Sequence, residues 1–408
     1  MTPDTSTAPS YDLWAPQVRA NPFPLYKHLR EKDPVARVMD PHRQMPFWLL
    51  TRYQDVVETA KDARLTNDVE KLPEELRKKF RGGGSQTLNR HLLVMDPPDH
   101  TRVRSLATQA FTPRRIEALR PRITALCAEL LEAMRARGSA DFVEAFAFPL
   151  PITVISELLG VPLEDRAQFR TWIEVFFTPP AQGGMERIRE SLDRLLAYLE
   201  GFIELRRRQP QEDLVTALLA VEEQGDRLST RELLSMVYLL LVAGHETTVH
   251  VLSNGTLELL RHPDQLQMLR EDPSLIPSAV EELLRFCGPV ELTMARFALE
   301  DFELCGQPIK AHDAVRMNIL AANHDAEQFP DPERLDVKRS PNKHLAFGQG
   351  IHFCLGSNLA RLEATLAFEV IIERLPHLRL AVPPEQLQWR SSAQVRGLLR
   401  LPLSFDTP

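Results

Sequence analysis

The sequence predicts a mainly α fold: one large helical domain with a small β-sheet region. Apolar residues recur at helical spacing along most of the chain. Stretches with strand character are short and confined to residues 35–51 and 289–315. No internal repeat, low-complexity tract or shift of composition marks a linker. On length alone, 408 residues suggest two or three domains of roughly 150 residues each. The continuous helical pattern favours one. Residues 1–20 are expected as an N-terminal extension and residues 21–408 as the domain.

Pro22 opens a first amphipathic helix that runs to Asp33. Strand-like runs follow at Val35–Val38 and Pro46–Thr51, with a Pro41-His42-Arg43 turn between them. Tyr53–Ala63 has helical spacing. Residues 64–95 lose it and include Gly82-Gly83-Gly84, a connection long enough to suggest a functional loop. Pro97-Pro98 precede a helix over Asp99–Phe111, because proline is tolerated where a helix begins. Longer helices are expected over Pro113–Arg137 and Phe142–Leu159, and the Pro179–Gly184 stretch breaks the next pair. Ser229–Arg261 reads as one very long helix, opened by the capping box Ser229-Thr230-Arg231-Glu232. Ile276–Phe286 is helical, Pro289–Val315 alternates as short strands, and a last helix starts near Leu355.

Composition excludes several classes. At 43% hydrophobic and 26% charged residues, the chain is globular, neither disordered nor fibrous. Four cysteines cannot make a disulfide scaffold and fit a reducing compartment. A net charge of −7 argues against duplex nucleic acid, which needs a basic excess. Met1–Ser10 is polar and does not read as a secretory signal. The most apolar stretch, Leu233–Gly244, is too short to cross a bilayer and is expected as a buried core helix. A cytoplasmic location follows from these readings.

Some chemistries fail on spacing. His245-Glu246-Thr247-Thr248-Val249-His250 resembles a zinc helix, but its histidines are five residues apart instead of four. At about 100° per residue they are separated by roughly 140° around the helix. The triple glycine does not join a strand to a helix as a phosphate loop does, and no Gly-x-Ser-x-Gly elbow occurs. The segment Phe347-Gly348-Gln349-Gly350-Ile351-His352-Phe353-Cys354-Leu355-Gly356 is different. Here a cysteine stands among glycines just before a strongly helical run. Near a helix N-terminus, backbone N–H groups and the helix dipole favour a thiolate. Cys127, Cys287 and Cys305 lack such surroundings and read as small hydrophobes.

Phe347-x-x-Gly350-x-His352-x-Cys354-x-Gly356 resembles the haem-binding signature of the cytochrome P450 family. Three further motifs fall in the family's order: Ala243-Gly244-His245-Glu246-Thr247-Thr248, Glu282-Leu283-Leu284-Arg285, and Phe329-Pro330-Asp331-Pro332-Glu333-Arg334. The resemblance covers nearly the whole chain. It implies a haem b cofactor, with Cys354 as metal ligand and Phe347, Gly348, Gly356, Ala243 and Gly244 beside it. His100, Arg104, Arg296 and His352 match the groups that hold the two haem propionates. Thr247 and Glu246 match the residues that hydrogen-bond bound dioxygen and deliver protons. Read from the residues alone, the Thr247 hydroxyl can bond back to the Ala243 carbonyl. Glu282, Arg285 and Arg334 would form a buried structural ion triad. Lys310-Ala311-His312-Asp313 and His324 depart from the family's usual residues, outside the core chemistry.

The expected activity is a haem-thiolate monooxygenase that hydroxylates or epoxidises a sizeable hydrophobic substrate. The resemblance is strongest to the branch acting on macrolides, steroids and vitamin-D-like compounds. Leu93, Val94, Leu239, Val242, Ala243, Pro289, Val290 and Leu292 are the expected pocket walls. No reductase or ferredoxin module is read in the chain, so a separate ferredoxin and ferredoxin reductase are expected, with Arg102, Arg114 and Lys343 as docking cations. A monomer is expected. The alternatives are a peroxide-driven peroxygenase on fatty acids and a non-catalytic haem sensor or carrier.

Overall fold

The computed structural model describes residues 11–80, 90–177, 184–222 and 225–407. The triple glycine at 82–84 and most of the break expected at 179–184 lie outside the described residues. The axis of the molecule is the helix Thr230–Arg261, 32 residues long, or about 48 Å at 1.5 Å per residue. Its capping box is formed. Ser229 Oγ accepts from the Glu232 N–H at 3.2 Å, and Glu232 Oε2 accepts from the Ser229 N–H at 2.8 Å. Helices Pro149–Leu159, Ile276–Cys287 and Ser357–Arg374 pack against it. Gly255 sits where a Cβ would come within 2.7 Å of the Phe368 ring, so only glycine allows that approach. By length and composition this helix could cross a membrane, contrary to the reading of its shorter apolar stretch, but most of its apolar window is buried inside the protein.

A five-stranded sheet lies to one side. Across it run Val35–Asp40, Met45–Leu50, Ala314–Met317, Arg296–Ala298 and Leu65–Thr66, in that order. The first two form the expected hairpin, with Val38 opposite Phe47. Alternation sends Phe47, Ala314 and Phe297 into one core and Leu50, Val315 and Met317 into another. The first of these cores corrects the expected boundary at residue 20. Leu13 is fully buried in it, Arg19 pairs with the buried Glu291, and Tyr26 donates to Glu291 Oε1 at 2.8 Å. Residues 11–20 therefore belong to the domain.

Other boundaries shift for local reasons. The helix expected over Phe142–Leu159 is a π turn, Val143–Ala147, followed by Pro149–Leu159. Proline at 149 lacks the N–H that would continue the preceding turns. Pro113–Arg137 divides into Pro113–Glu117 and Arg120–Arg135, with Pro121 in the first turn of the second. The aperiodic 64–95 stretch contains a helix, Glu74–Phe80, and a 3₁₀ turn, Leu92–Val94. His312 adopts φ +71°, a left-handed conformation that glycine takes without cost.

Glu282 and Arg285 form a fully buried pair, with Arg285 donating from Nε and Nη2 at 2.8 Å each. The third cation is Arg339, 3.1 Å from Glu282, and not Arg334. The Arg334 carbonyl turns inward to accept from Arg285 and Arg339, at 3.3 and 3.1 Å, which leaves its side chain exposed. Arg339→Ala should therefore lower stability by about 3 kcal/mol or more. Arg334→Ala should stay within about 0.5 kcal/mol. Denaturant unfolding of the two variants checks this difference.

Glu363 is buried on the Ser357–Arg374 helix with Oε2 unpartnered, and burial pushes its carboxyl up to about 8. The folded chain keeps this proton where the unfolded chain loses it above about 4.3. Its contribution to stability is thus full below that pH and is lost as pH rises toward 8. Between pH 5 and 8 the loss is on the order of 3 kcal/mol. Glu363→Gln should remove that slope, so its advantage in unfolding temperature over the parent widens from pH 5 to pH 8.

Candidate active site

The loop before the Ser357–Arg374 helix is held by its own backbone. Cys354 N donates to Phe347 O at 2.8 Å, Gly348 N to Leu345 O at 2.8 Å, and Phe353 N to Gly350 O at 3.1 Å. Gly348 and Gly350 both have φ +73°. A Cβ at Gly350 would also lie 3.0 Å from the Ala60 carbonyl oxygen. The Gly356 N–H bonds the Cys354 sulfur. Burial pushes this thiol up, and the Gly356 N–H, Arg104 and Arg361 pull it down. Arg361 is fixed by Glu281, at 2.6 and 2.9 Å, and lies 4.4 Å over the Phe347 ring. His344 holds the same carboxylate at 3.0 Å. Burial would raise the Glu281 carboxyl, but these two partners hold it down at about 2. Sequence reasoning missed Glu281, His344 and Arg361. Their only signal was proximity to the Glu282 and Cys354 motifs.

The helix Asp99–Ala110 presents His100 and Arg104 one turn apart. The His100 ring meets the His352 ring edge-on, with centroids 4.5 Å apart. All four nitrogens of these two rings are buried without a hydrogen-bond partner. Burial pushes His352 down to about 4, helped by His100 and Arg296. Arg104 is half-buried and has no ion pair among the described residues; burial lowers its guanidinium, and nearby Cys354 opposes that. Arg296 spends its terminal nitrogens on the carbonyls of Thr59, Asp62 and Leu65, at 2.8, 3.3 and 2.9 Å, and its Nε is left unpartnered. Each buried polar group left unpaired costs about 1–3 kcal/mol. This concentration of donors around one cysteine calls for an acidic ligand.

Midway along the long helix, Ala243 is exposed, while Leu239, Val242, Gly244, Glu246 and Thr247 are half-buried. Thr247 Oγ1 donates to the Ala243 carbonyl at 2.8 Å, and Thr248 Oγ1 to the Gly244 carbonyl at 3.1 Å. The Thr247 hydrogen is thereby committed, so its oxygen is left as an acceptor. Burial raises the Glu246 carboxyl and Arg390 lowers it. Glu246 Oε1 lies 3.2 Å from Arg390 Nη2 and 4.0 Å from His250 Nε2. Burial pushes His250 down to about 3, so it is neutral, and a Cβ on Gly397 would fall 2.0 Å from its Nδ1. His245 packs edge-on against Phe148 at 4.4 Å. The two histidines have separate surroundings. Among the described residues no group of three or more His, Cys, Asp or Glu side chains could hold a metal ion.

A model of the family described as Cytochrome P450 matches residues 15–407. The chain belongs to the cytochrome P450 family. It is 43% identical over 390 residues to the polyketide biosynthesis cytochrome P450 PksS of Bacillus subtilis, covering 95% of this chain and 96% of that protein. It is 44% identical over 404 residues to the vitamin D(3) 25-hydroxylase of Pseudonocardia autotrophica, covering 98% of each. The structure of PksS superposes with a TM-score of 0.91 at 42% identity, over 97% of this chain and 100% of that one. A myxobacterial cytochrome P450, CYP267B1, in complex with myristic acid, gives 0.91 at 44% identity over 96% and 98%. This P450 is therefore a monooxygenase, an oxidoreductase with a haem-thiolate cofactor that takes a substrate, dioxygen and electrons from redox partners. The donor set fits haem: one buried thiol, two imidazoles and the Arg104 guanidinium without an acceptor, and the free Nε of Arg296, suited to two carboxylates.

The expected substrate walls divide. Leu93 and Val94 line a cleft of about 300 Å³ beside the sheet. Leu239, Val242 and Ala243 lie on the accessible strip of the long helix, and Val290 is half-buried. Pro289 and Leu292 do not belong with them. Leu292 is fully buried in the sheet core, and Pro289 is buried with its carbonyl accepting from Arg396 N at 2.7 Å. Of the expected docking cations of this P450, Arg114 and Lys343 are exposed. Arg102 is engaged by Asp226 and Glu232.

Proposed function

We propose that this P450 hydroxylates or epoxidises a sizeable hydrophobic substrate, of the macrolide, steroid or terpenoid kind, using Glu246 and Thr247 to manage the protons of dioxygen activation. Cys354 would ligate the haem iron, within the loop of Phe347, Gly348 and Gly356. His100, Arg104, Arg296 and His352 would hold the propionates, and Ala243 and Gly244 would provide the small surface beside the ring. The bound haem supplies the redox chemistry that cleaves dioxygen, which an electron-donating thiolate favours.

The observation that carries this reading is the Thr247–Glu246–Arg390 arrangement on the accessible strip of an otherwise buried helix. A carrier or sensor needs no acceptor hydroxyl beside a carboxyl whose proton affinity is raised by burial. Glu246 can hold a proton closer to neutral pH than an exposed carboxylate, and Arg390 positions it. The substrate class is supported by apolar Leu239, Val242 and Ala243 and by two relatives at 43% and 44% identity, one of polyketide biosynthesis and one a vitamin D(3) hydroxylase. Electrons would come from a separate ferredoxin and its reductase, and the enzyme would work as a cytoplasmic monomer. The test is a ligand screen by the haem spin-state shift, followed by turnover with a surrogate ferredoxin and reductase. Macrolides or steroids that shift the spin state should gain one oxygen atom. A library giving neither shift nor product would contradict the reading.

A further inference from the structure

We propose that Arg316 anchors the carboxylate of a hydrophobic carboxylic acid in the cleft lined by Leu93 and Val94. This names the substrate's polar end, and it rests on the monooxygenase reading above.

Arg316 lies on the strand Ala314–Met317, on the same sheet face as Phe47 and Ala314. It is only 8% exposed. Its Nε donates to the Thr293 carbonyl at 3.0 Å, and its guanidinium lies 5.5 Å from the Phe47 ring centroid. Of the five N–H donors of an arginine, the Nη groups have no partner among the described residues, and the side chain lines the cleft. Burial pushes the guanidinium down to about 10.

Three other buried arginines have a carboxylate partner. Arg19 pairs with Glu291, Arg206 with Asp213, and Arg285 with Glu282. The acids that share the cleft with Arg316 make no hydrogen bond to it, and Asp40 acts on it through its charge alone. Asp40 accepts from the His42 and Arg43 N–H groups at 2.9 and 3.0 Å and lies 3.9 Å from Arg43 Nη1. Glu70 is 3.4 Å from Arg77. Burial pushes His91, also in the lining, down to about 4, so it is neutral.

A buried cation with no acceptor on its Nη groups is costly, and the nearby Asp40 charge offsets the burial only in part. A carboxylate supplies both the charge and the planar, two-oxygen acceptor that matches a guanidinium. The rest of the wall includes Leu93, Val94, Phe80, Met294 and Phe297, which suits an apolar chain and not a free inorganic anion. The cleft therefore fits a molecule with one acidic end and an apolar body.

The test uses the haem-loaded protein and two probes, dodecanoic acid and its methyl ester, titrated by spin-state shift at pH 8. The parent should bind the acid about tenfold to a hundredfold more tightly than the ester. Arg316→Leu should abolish that ratio, and Arg316→Lys should restore part of it. The parent comparison stands on its own should the leucine variant not fold. Equal affinity for acid and ester, binding of neither, or a preference that survives in Arg316→Leu would overturn the proposal. A neutral macrolide that is bound and oxidised while the acid is ignored sinks the anchor and leaves the monooxygenase reading intact. Preferential binding of the acid with no oxygenated product from any ligand supports the anchor and sinks that reading.

Discussion

Cys354→Ser should bind haem without the thiolate band in the carbon-monoxide difference spectrum, and its substrate turnover should fall to background. The loop should survive the change, because its hydrogen bonds are made by backbone atoms: Cys354 N to Phe347 O, Gly348 N to Leu345 O and Phe353 N to Gly350 O. What disappears is a sulfur whose charged form burial disfavours and the Gly356 N–H, Arg104 and Arg361 favour. A serine hydroxyl at this position stays protonated and is a poor soft-metal ligand. No other cysteine substitutes. Burial pushes Cys127 up to about 12 and Cys287 well above its usual range. Burial and Asp55 push Cys305 up to about 12. A thiolate band that persisted in Cys354→Ser would move ligation to one of these and undo the assignment.

Thr247→Ala should keep consuming electrons while product per electron pair falls at least tenfold. The hydroxyl hydrogen is spent on the Ala243 carbonyl, so the group acts as a fixed acceptor, and alanine leaves none. The neighbouring Thr248 back-bond to Gly244 remains, which keeps the local helix in place. Glu246→Gln should slow turnover by about a hundredfold, the usual scale of a lost proton donor. Arg390 acts through Glu246, so its removal has a different signature. Burial already raises this carboxyl and Arg390 opposes it. Arg390→Leu should therefore raise the Glu246 proton affinity further and move the pH profile of turnover upward, whereas a merely structural loss would lower the rate without moving the profile. Measured coupling ratios and pH profiles separate the three variants.

The parts of the site that were legible in the sequence share a local cause. Cys354, Gly348 and Gly350 lie within one short loop whose backbone needs glycine at positive φ, so spacing alone carries the signal. Ser229 and Glu232 cap the long helix within four residues, and Thr247 bonds back within its own turn. The parts that were not legible depend on distant segments meeting. Arg390 reaches Glu246 from beyond the last helix, and Arg19 reaches Glu291 from the N-terminal stretch. Arg334 and Arg339 stand close together in sequence, and which of them turns inward toward Glu282 depends on the direction of the intervening turns. Pro289 and Leu292 have the apolar character of pocket walls, but core packing asks for the same character, and composition does not say which of the two a residue meets. Arg316 reads as an ordinary polar position on a strand; only the cleft beside it and the lack of an acceptor for its Nη groups among the described residues set it apart.

Turnover under isotopically labelled dioxygen, with a spin-shifting substrate and a surrogate ferredoxin and reductase, bears on whether Cys354, Glu246 and Thr247 form an oxygen-activating site. One labelled atom should appear in each product molecule, and the yield of labelled product per electron pair should fall with coupling in Thr247→Ala. Product carrying oxygen from water, or product formed only when peroxide replaces dioxygen and reductant, would contradict it.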